Sequence, residues 1–189
     1  MIGVLVSGAG TNLQALLDAD LPVVAVASNN TKAKALDRAA KAGIEAGAFP
    51  TAEFDSRERR DEEQAEWLAE RGVELVVLAG YMQLLTTQFL ERFPGRILNV
   101  HPSLLPAFPG AHAVGDALTH GVKVTGATVH FVDEGIDTGP IVLQEAVEVR
   151  EGDTPETLHA RIQAVEHRLL PAAVRLFLDG KLSSPVEAA

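Results

Sequence analysis

Apolar and polar positions run along the chain in blocks whose period keeps changing. Residues 2–6 (Ile-Gly-Val-Leu-Val) are apolar and β-rich. A turn, Ser7-Gly8-Ala9-Gly10-Thr11-Asn12, hands over to a helical run at Leu13–Leu17, with Thr11 or Asn12 as its expected cap. Residues 22–27 read as a second strand, 31–42 as a helix ending before Gly43, and 44–48 as a short strand. A charged helix is predicted over 56–71, ended by Gly72, its charges forming a solvated face. Val73–Ala79 is apolar apart from Glu74, the pattern of a central parallel strand. A short helix at 86–93 is closed by Pro94-Gly95, and a strand then enters Asn99-Val100-His101-Pro102. A helix at 112–120, strands at 124–132 and 140–147, and a long helix at 154–178 complete the pattern. Strand–helix units followed by two adjacent strands predict a single α/β domain over 1–189. Its sheet is expected to be Rossmann-like, twisted and mainly parallel, with an antiparallel C-terminal extension.

The ends of the last helix carry finer expectations. Thr154 is its predicted N-cap and Pro155 its first residue. Thr157 stands where a capping box calls for Glu or Gln, so the box is expected to be incomplete. Pro171 is expected to kink or divide the helix. The tail from Ser183 is expected to fray.

Chemistry concentrates at the strand ends. Alternation puts Asn99 and His101 on one side of an extended chain, and Pro102 biases His101 toward that conformation. Asp137 lies in a glycine-bracketed loop, Gly135-Ile136-Asp137-Thr138-Gly139, after another strand. An amide, an imidazole and a carboxylate suit polarising a carbonyl and moving a proton. His130 shares parity with Thr128, so both a structural role and a place beside Asp133 and Asp137 stay open.

The turn at residues 7–12 fits a dinucleotide fingerprint poorly. Leu13 occupies the third glycine position, and no carboxylate follows the second strand at Ser28-Asn29-Asn30. One phosphate at a helix N-terminus is the more economical ligand. Gln163 and Glu166 lie three apart on one helix face. Met82, Leu84 and Leu85 read either as core residues or as an apolar lip for a flat heterocycle at a strand's carboxyl end.

Composition narrows the classes. A net charge of −10 argues against general binding of nucleic acid or anionic membranes. The absence of cysteine excludes disulfides, cysteine nucleophiles and thiolate metal sites. No apolar span is long enough for a transmembrane helix, and the N-terminus lacks a basic leader, so a cytoplasmic setting is expected.

Three segments together resemble the glycinamide ribonucleotide formyltransferases of purine biosynthesis. They are Ser7-Gly8-x-Gly10-Thr11-Asn12-Leu13, Asn99-x-His101-Pro102-Ser103-Leu104-Leu105-Pro106, and His130 followed by Asp137-x-Gly139-Pro140. The resemblance runs from about residue 2 to 180. It implies that the amine of 5-phosphoribosylglycinamide attacks the formyl carbon of 10-formyltetrahydrofolate, a co-substrate, with no metal. Asn99, His101 and Asp137 are the implied catalytic set. Gly10, Thr11, Asn12, Gln163 and Glu166 are the implied ribonucleotide site. Arg57, Met82, Gln83, Leu84 and Leu85, with Asn99 and the loop Asp133, Glu134, Gly135, Ile136 and Asp137, are the implied folate site. Gln83 departs from the pattern, since some relatives carry Arg there. Residues 1–100 are expected to hold the ribonucleotide half and 101–189 the folate and C-terminal half. Small molecules are the expected partners, and the chain a monomer or homodimer. The competing readings are a formyltetrahydrofolate deformylase, a methionyl-tRNA formyltransferase module and a non-catalytic folate or nucleotide binder. The first two usually carry a further domain, which this chain is expected to lack.

Overall fold

The computed structural model describes residues 1–182, so the tail predicted to fray from Ser183 lies outside the described residues. Strands β1 (Ile2–Val6), β2 (Val23–Ser28), β3 (Glu45–Ala48), β4 (Leu75–Leu78), β5 (Ile97–His101), β6 (Val124–Phe131) and β7 (Ile141–Glu148) form one sheet. Their order is β3-β2-β1-β4-β5-β6-β7. The pairs from β3 to β5 are parallel, and β5–β6 and β6–β7 are antiparallel. This is the predicted α/β architecture.

Among the described residues six α-helices cover the sheet: α1 (Thr11–Asp18), α2 (Lys34–Lys41), α3 (Arg57–Glu70), α4 (Thr87–Arg92), α5 (Ala113–His120) and α6 (Pro155–Leu178). Side-chain alternation divides the core into two layers. Val4, Val6, Leu98 and Val100 pack with α1, α2, α5 and α6. Leu5, Val76, Leu78 and Ile97 pack with α3 and α4. Asn99 and His101 share parity with Ile97, so their side chains leave the sheet opposite α1 and α6.

Several local expectations give way to tertiary contacts. Neither Thr11 nor Asn12 caps α1: the N-cap is Gly10, with φ 70° and no side-chain cap. Both polar residues sit inside the first turn and bond to α6 instead. The predicted helix at 31–42 begins at Lys34, because Asn30 first folds the chain into a turn, accepting from Lys32 N–H at 2.9 Å. The strand at 73–79 contracts to Leu75–Leu78. The charges of α3 are not all solvated, since Arg60, Asp61 and Gln64 are fully buried. The capping box of α6 is complete: the Thr157 hydroxyl accepts from Thr154 N–H at 2.9 Å, doing the work of a Glu or Gln. Pro171 does not divide α6, which runs unbroken through it. Among the described residues no helix is long and apolar enough to cross a membrane.

Candidate active site

Three walls meet at the carboxyl ends of the parallel strands. The first is the turn into α1. A side chain at Gly10 would strike Ala35 of α2, with a Cβ only 2.6 Å from the Ala35 Cβ, so glycine is required for both conformation and space. Arg38 Nε donates to the Ala9 carbonyl at 2.9 Å and holds the turn from behind. The first N–H groups of α1 have no acceptor within the helix and point outward, where the helix dipole favours an anion. Thr11 Oγ1 accepts from Gln163 Nε2 at 2.9 Å, and Asn12 Nδ2 donates to Glu166 Oε2 at 2.9 Å. The two residues three apart on α6 therefore reach the turn together. Burial raises the Glu166 pKa, opposed by the Asn12 hydrogen bond and the charges of His159 and His101. Asn12 Oδ1 is buried without a partner, an acceptor available to a hydroxyl or amine.

The second wall is the end of β5. Register sets Asn99 opposite His130 and His101 opposite Thr128, so cross-strand neighbours on one face bring both imidazoles together. Asp137 closes the group from its loop, with Oδ2 3.3 Å from His101 Nδ1 and Oδ1 3.5 Å from His130 Nε2. Asn99 Nδ2 is 3.1 Å from His130 Nε2 and donates to Asp137 Oδ1 at 3.4 Å. Asp137 also accepts from Gly110 N–H at 2.8 Å. Its φ is 55°, a left-handed conformation that costs a non-glycine residue energy and is held only by such surroundings. Gly139 closes the loop, since a Cβ there would lie 1.9 Å from the Phe131 carbonyl. Burial is the largest influence on the Asp137 carboxyl and pushes its pKa up. The His130 hydrogen bond, Gly110 N–H and the field of both imidazoles together outweigh it, and the value falls to about 2. His130 is thus an integral part of the cluster, its Nδ1 2.7 Å from the Phe131 carbonyl.

His101 Nε2 is 2.8 Å from the Phe108 carbonyl. The His101 Nδ1 faces the Asp137 carboxylate and its Nε2 faces this carbonyl, so both ring nitrogens meet acceptors. Phe108 also has a positive φ of 53°. The proline-rich loop is anchored by Thr128, whose hydroxyl donates to the Ser103 carbonyl at 2.7 Å and accepts from Leu105 N–H at 3.1 Å. Gln144 Nε2 adds a bond to the Leu105 carbonyl at 2.8 Å. Sequence reading missed both anchors. The inward parity of Thr128 was the available signal.

The third wall is the segment after β4. Met82 and Leu84 are 62% and 55% exposed, which overturns the core reading for these two. Leu85 is half-buried against the second core layer. Ser7 Oγ accepts from Met82 N–H at 2.8 Å and donates to Asn29 at 2.6 Å, tying this wall to the glycine turn. Arg57 Nη2 donates to the Leu84 carbonyl at 2.9 Å, so part of its bonding capacity goes to the backbone. Asp133 Oδ1 accepts from Gly135 N–H at 3.1 Å and Thr138 Oγ1 at 2.7 Å, folding its loop on itself. Glu134, Gly135 and Ile136 are exposed. No cluster of three or more His, Asp or Glu suited to a metal ion occurs among the described residues.

The chain belongs to the formyl transferase family, whose model matches residues 1–174. It is 51% identical over 175 residues to the phosphoribosylglycinamide formyltransferase of Mycobacterium tuberculosis, covering 90% of this chain and 81% of that protein. To the Escherichia coli protein of the same name it is 42% identical, covering 100% of this chain and 92% of that one. Its backbone matches the crystal structure of glycinamide ribonucleotide transformylase 1 from Symbiobacterium toebii with a TM-score of 0.94. The identity there is 54%, over 96% of this chain and 89% of the other.

Proposed function

We propose that the chain transfers the formyl group of 10-formyltetrahydrofolate to the amine of 5-phosphoribosylglycinamide, giving the N-formyl ribonucleotide and tetrahydrofolate for purine biosynthesis. The observation that carries this reading is the meeting of Asn99, His101 and Asp137 between the helix-start wall and the apolar lip. The ribonucleotide phosphate sits on the first turn of α1 at Gly10, Thr11 and Asn12. Its hydroxyls and amine meet Glu166, Gln163 and the free Asn12 Oδ1. The flat ring of the folate takes the lip at Met82–Leu85 and the backbone of Asp133–Asp137.

Attack of the amine on the formyl carbon creates a tetrahedral oxyanion. The Asn99 amide and the His101 imidazole are its donors. His101 Nε2 is capped by the Phe108 carbonyl, so a formyl oxygen at that nitrogen displaces the strained Phe108 peptide. Asp137 stabilises the imidazolium and fixes its orientation. The attacking nitrogen loses a proton and the folate nitrogen gains one as the carbon–nitrogen bond breaks, with His101 or an Asp137-held water as carrier. No protein nucleophile is needed. The reading supports one cytoplasmic formyltransferase domain, acting as monomer or homodimer. Incubation with a folate carrying an isotope-labelled formyl carbon tests it. Mass spectrometry should find the label on the ribonucleotide, and label recovered only as formate refutes it.

A further inference from the structure

Beneath the lip lies a group of charges that the chemistry above leaves unused. Arg60 and Asp61 are neighbours on α3 and both fully buried. Asp61 Oδ1 accepts from Arg60 Nε at 2.9 Å and Nη2 at 2.6 Å. Its other oxygen accepts from Thr86 N–H at 2.8 Å. Arg60 Nη1 donates to Thr51 Oγ1 at 3.0 Å and to Gln83 Oε1 at 3.3 Å. A buried pair of this kind is a poor source of stability, because desolvation offsets the attraction and well-packed apolar replacements are often neutral. What the pair supplies here is direction. It grips the lip at two points, the Gln83 side chain and the Thr86 backbone. A guanidinium only donates, so the Gln83 amide must turn its oxygen inward. Its NH2 end is then left for solvent or a ligand.

We propose that the Arg60–Asp61 pair is the positioning unit of the lip, and that it sets Gln83 with a neutral N–H donor outward toward an acceptor oxygen of the folate. This rests on the folate reading given above. The arrangement makes Gln83 a specificity residue and Arg60 and Asp61 positioning residues that never touch substrate.

Steady-state kinetics on the full chain, with both substrates varied, tests it. The double variant Arg60→Met/Asp61→Leu removes both bonds to the lip without leaving a lone buried charge. Its folate KM should rise about tenfold, with kcat and the ribonucleotide KM changing less than about twofold. Gln83→Leu and Gln83→Glu leave the pair in place. Glutamate still accepts from Arg60 but turns no N–H outward, so both variants should raise the folate KM about fivefold. An unchanged folate KM in all three variants overturns the inference, as does an equal loss in every parameter. Should the double variant fail to fold, the two Gln83 variants decide alone. Wild-type chain with no ribonucleotide-dependent turnover would refute the folate reading itself. Normal wild-type turnover with unchanged KM values in the variants refutes only this inference.

Discussion

Replacing Asp137 by Asn changes one atom and one charge, and the structure sets the size of the effect. The carboxyl pKa falls from 3.8 to about 2 in spite of burial. At 1.36 kcal/mol per unit, the site therefore prefers the charged form by about 2 kcal/mol. That preference is what remains after burial, the largest influence, is outweighed by the His130 hydrogen bond, Gly110 N–H and the field of both imidazoles. Lost in the ground state alone, it corresponds to about a thirtyfold change. In the transition state His101 must also face a new oxyanion, where removing a preorganised donor typically costs on the order of 10²–10³ in rate. Asp137→Asn should accordingly lower kcat by about 10²–10³. The ribonucleotide KM should stay within about threefold, because the α1 turn lies on another wall. Ultraviolet absorbance of the folate product, with the ribonucleotide varied at saturating folate, reads both parameters. A kcat within about threefold of wild type, or a change confined to the ribonucleotide KM, refutes a catalytic role for this carboxylate.

Asn99→Ala and His101→Ala should each remove most formyl transfer while calorimetry still detects the ribonucleotide; near-normal turnover in both would remove the assignment. Glu166→Gln keeps an acceptor for Asn12 and relieves a carboxylate whose charged form burial disfavours. It should raise the thermal midpoint while raising the ribonucleotide KM about tenfold, and an unchanged KM would free Glu166 from the site. Asp137 also predicts an acid limb of stability. Its folded pKa lies below its unfolded value, so its contribution of about 2 kcal/mol is complete above the unfolded pKa of 3.8 and is lost as pH falls toward about 2. Urea midpoints across that window should fall less steeply in Asp137→Asn than in wild type, and identical slopes would contradict the shift.

The strands and the change from parallel to antiparallel near the C-terminus were readable because each apolar run is short and bounded by turn residues, and because helices separate the early strands but not the last two. The order of the strands across the sheet was not readable. Asn99 and His101 were readable from alternation: two residues apart on a strand is one face. What failed was local reading of residues whose partners are distant in the chain. Thr11 and Asn12 look like caps, yet Gln163 and Glu166, some 150 positions on, claim their side chains. Arg60 and Asp61 look like the rest of a charged helix, because no periodicity separates a buried ion pair from a solvated one. The Asp137 geometry depends on a left-handed residue and on Gly110 from another loop, and neither leaves a pattern in its own segment. Thr157 closing a capping box was missed for a simpler reason: its hydroxyl replaces the longer side chain the rule expects.

The central claim is that two substrates meet across Asn99, His101 and Asp137 and that the ribonucleotide amine is the acceptor. Tetrahydrofolate release from 10-formyltetrahydrofolate, followed by ultraviolet absorbance with and without 5-phosphoribosylglycinamide, tests it most directly. Release only when the ribonucleotide is present is the predicted result. Release at the same rate with water alone would make the chain a deformylase, and no release under either condition would make it a binding protein.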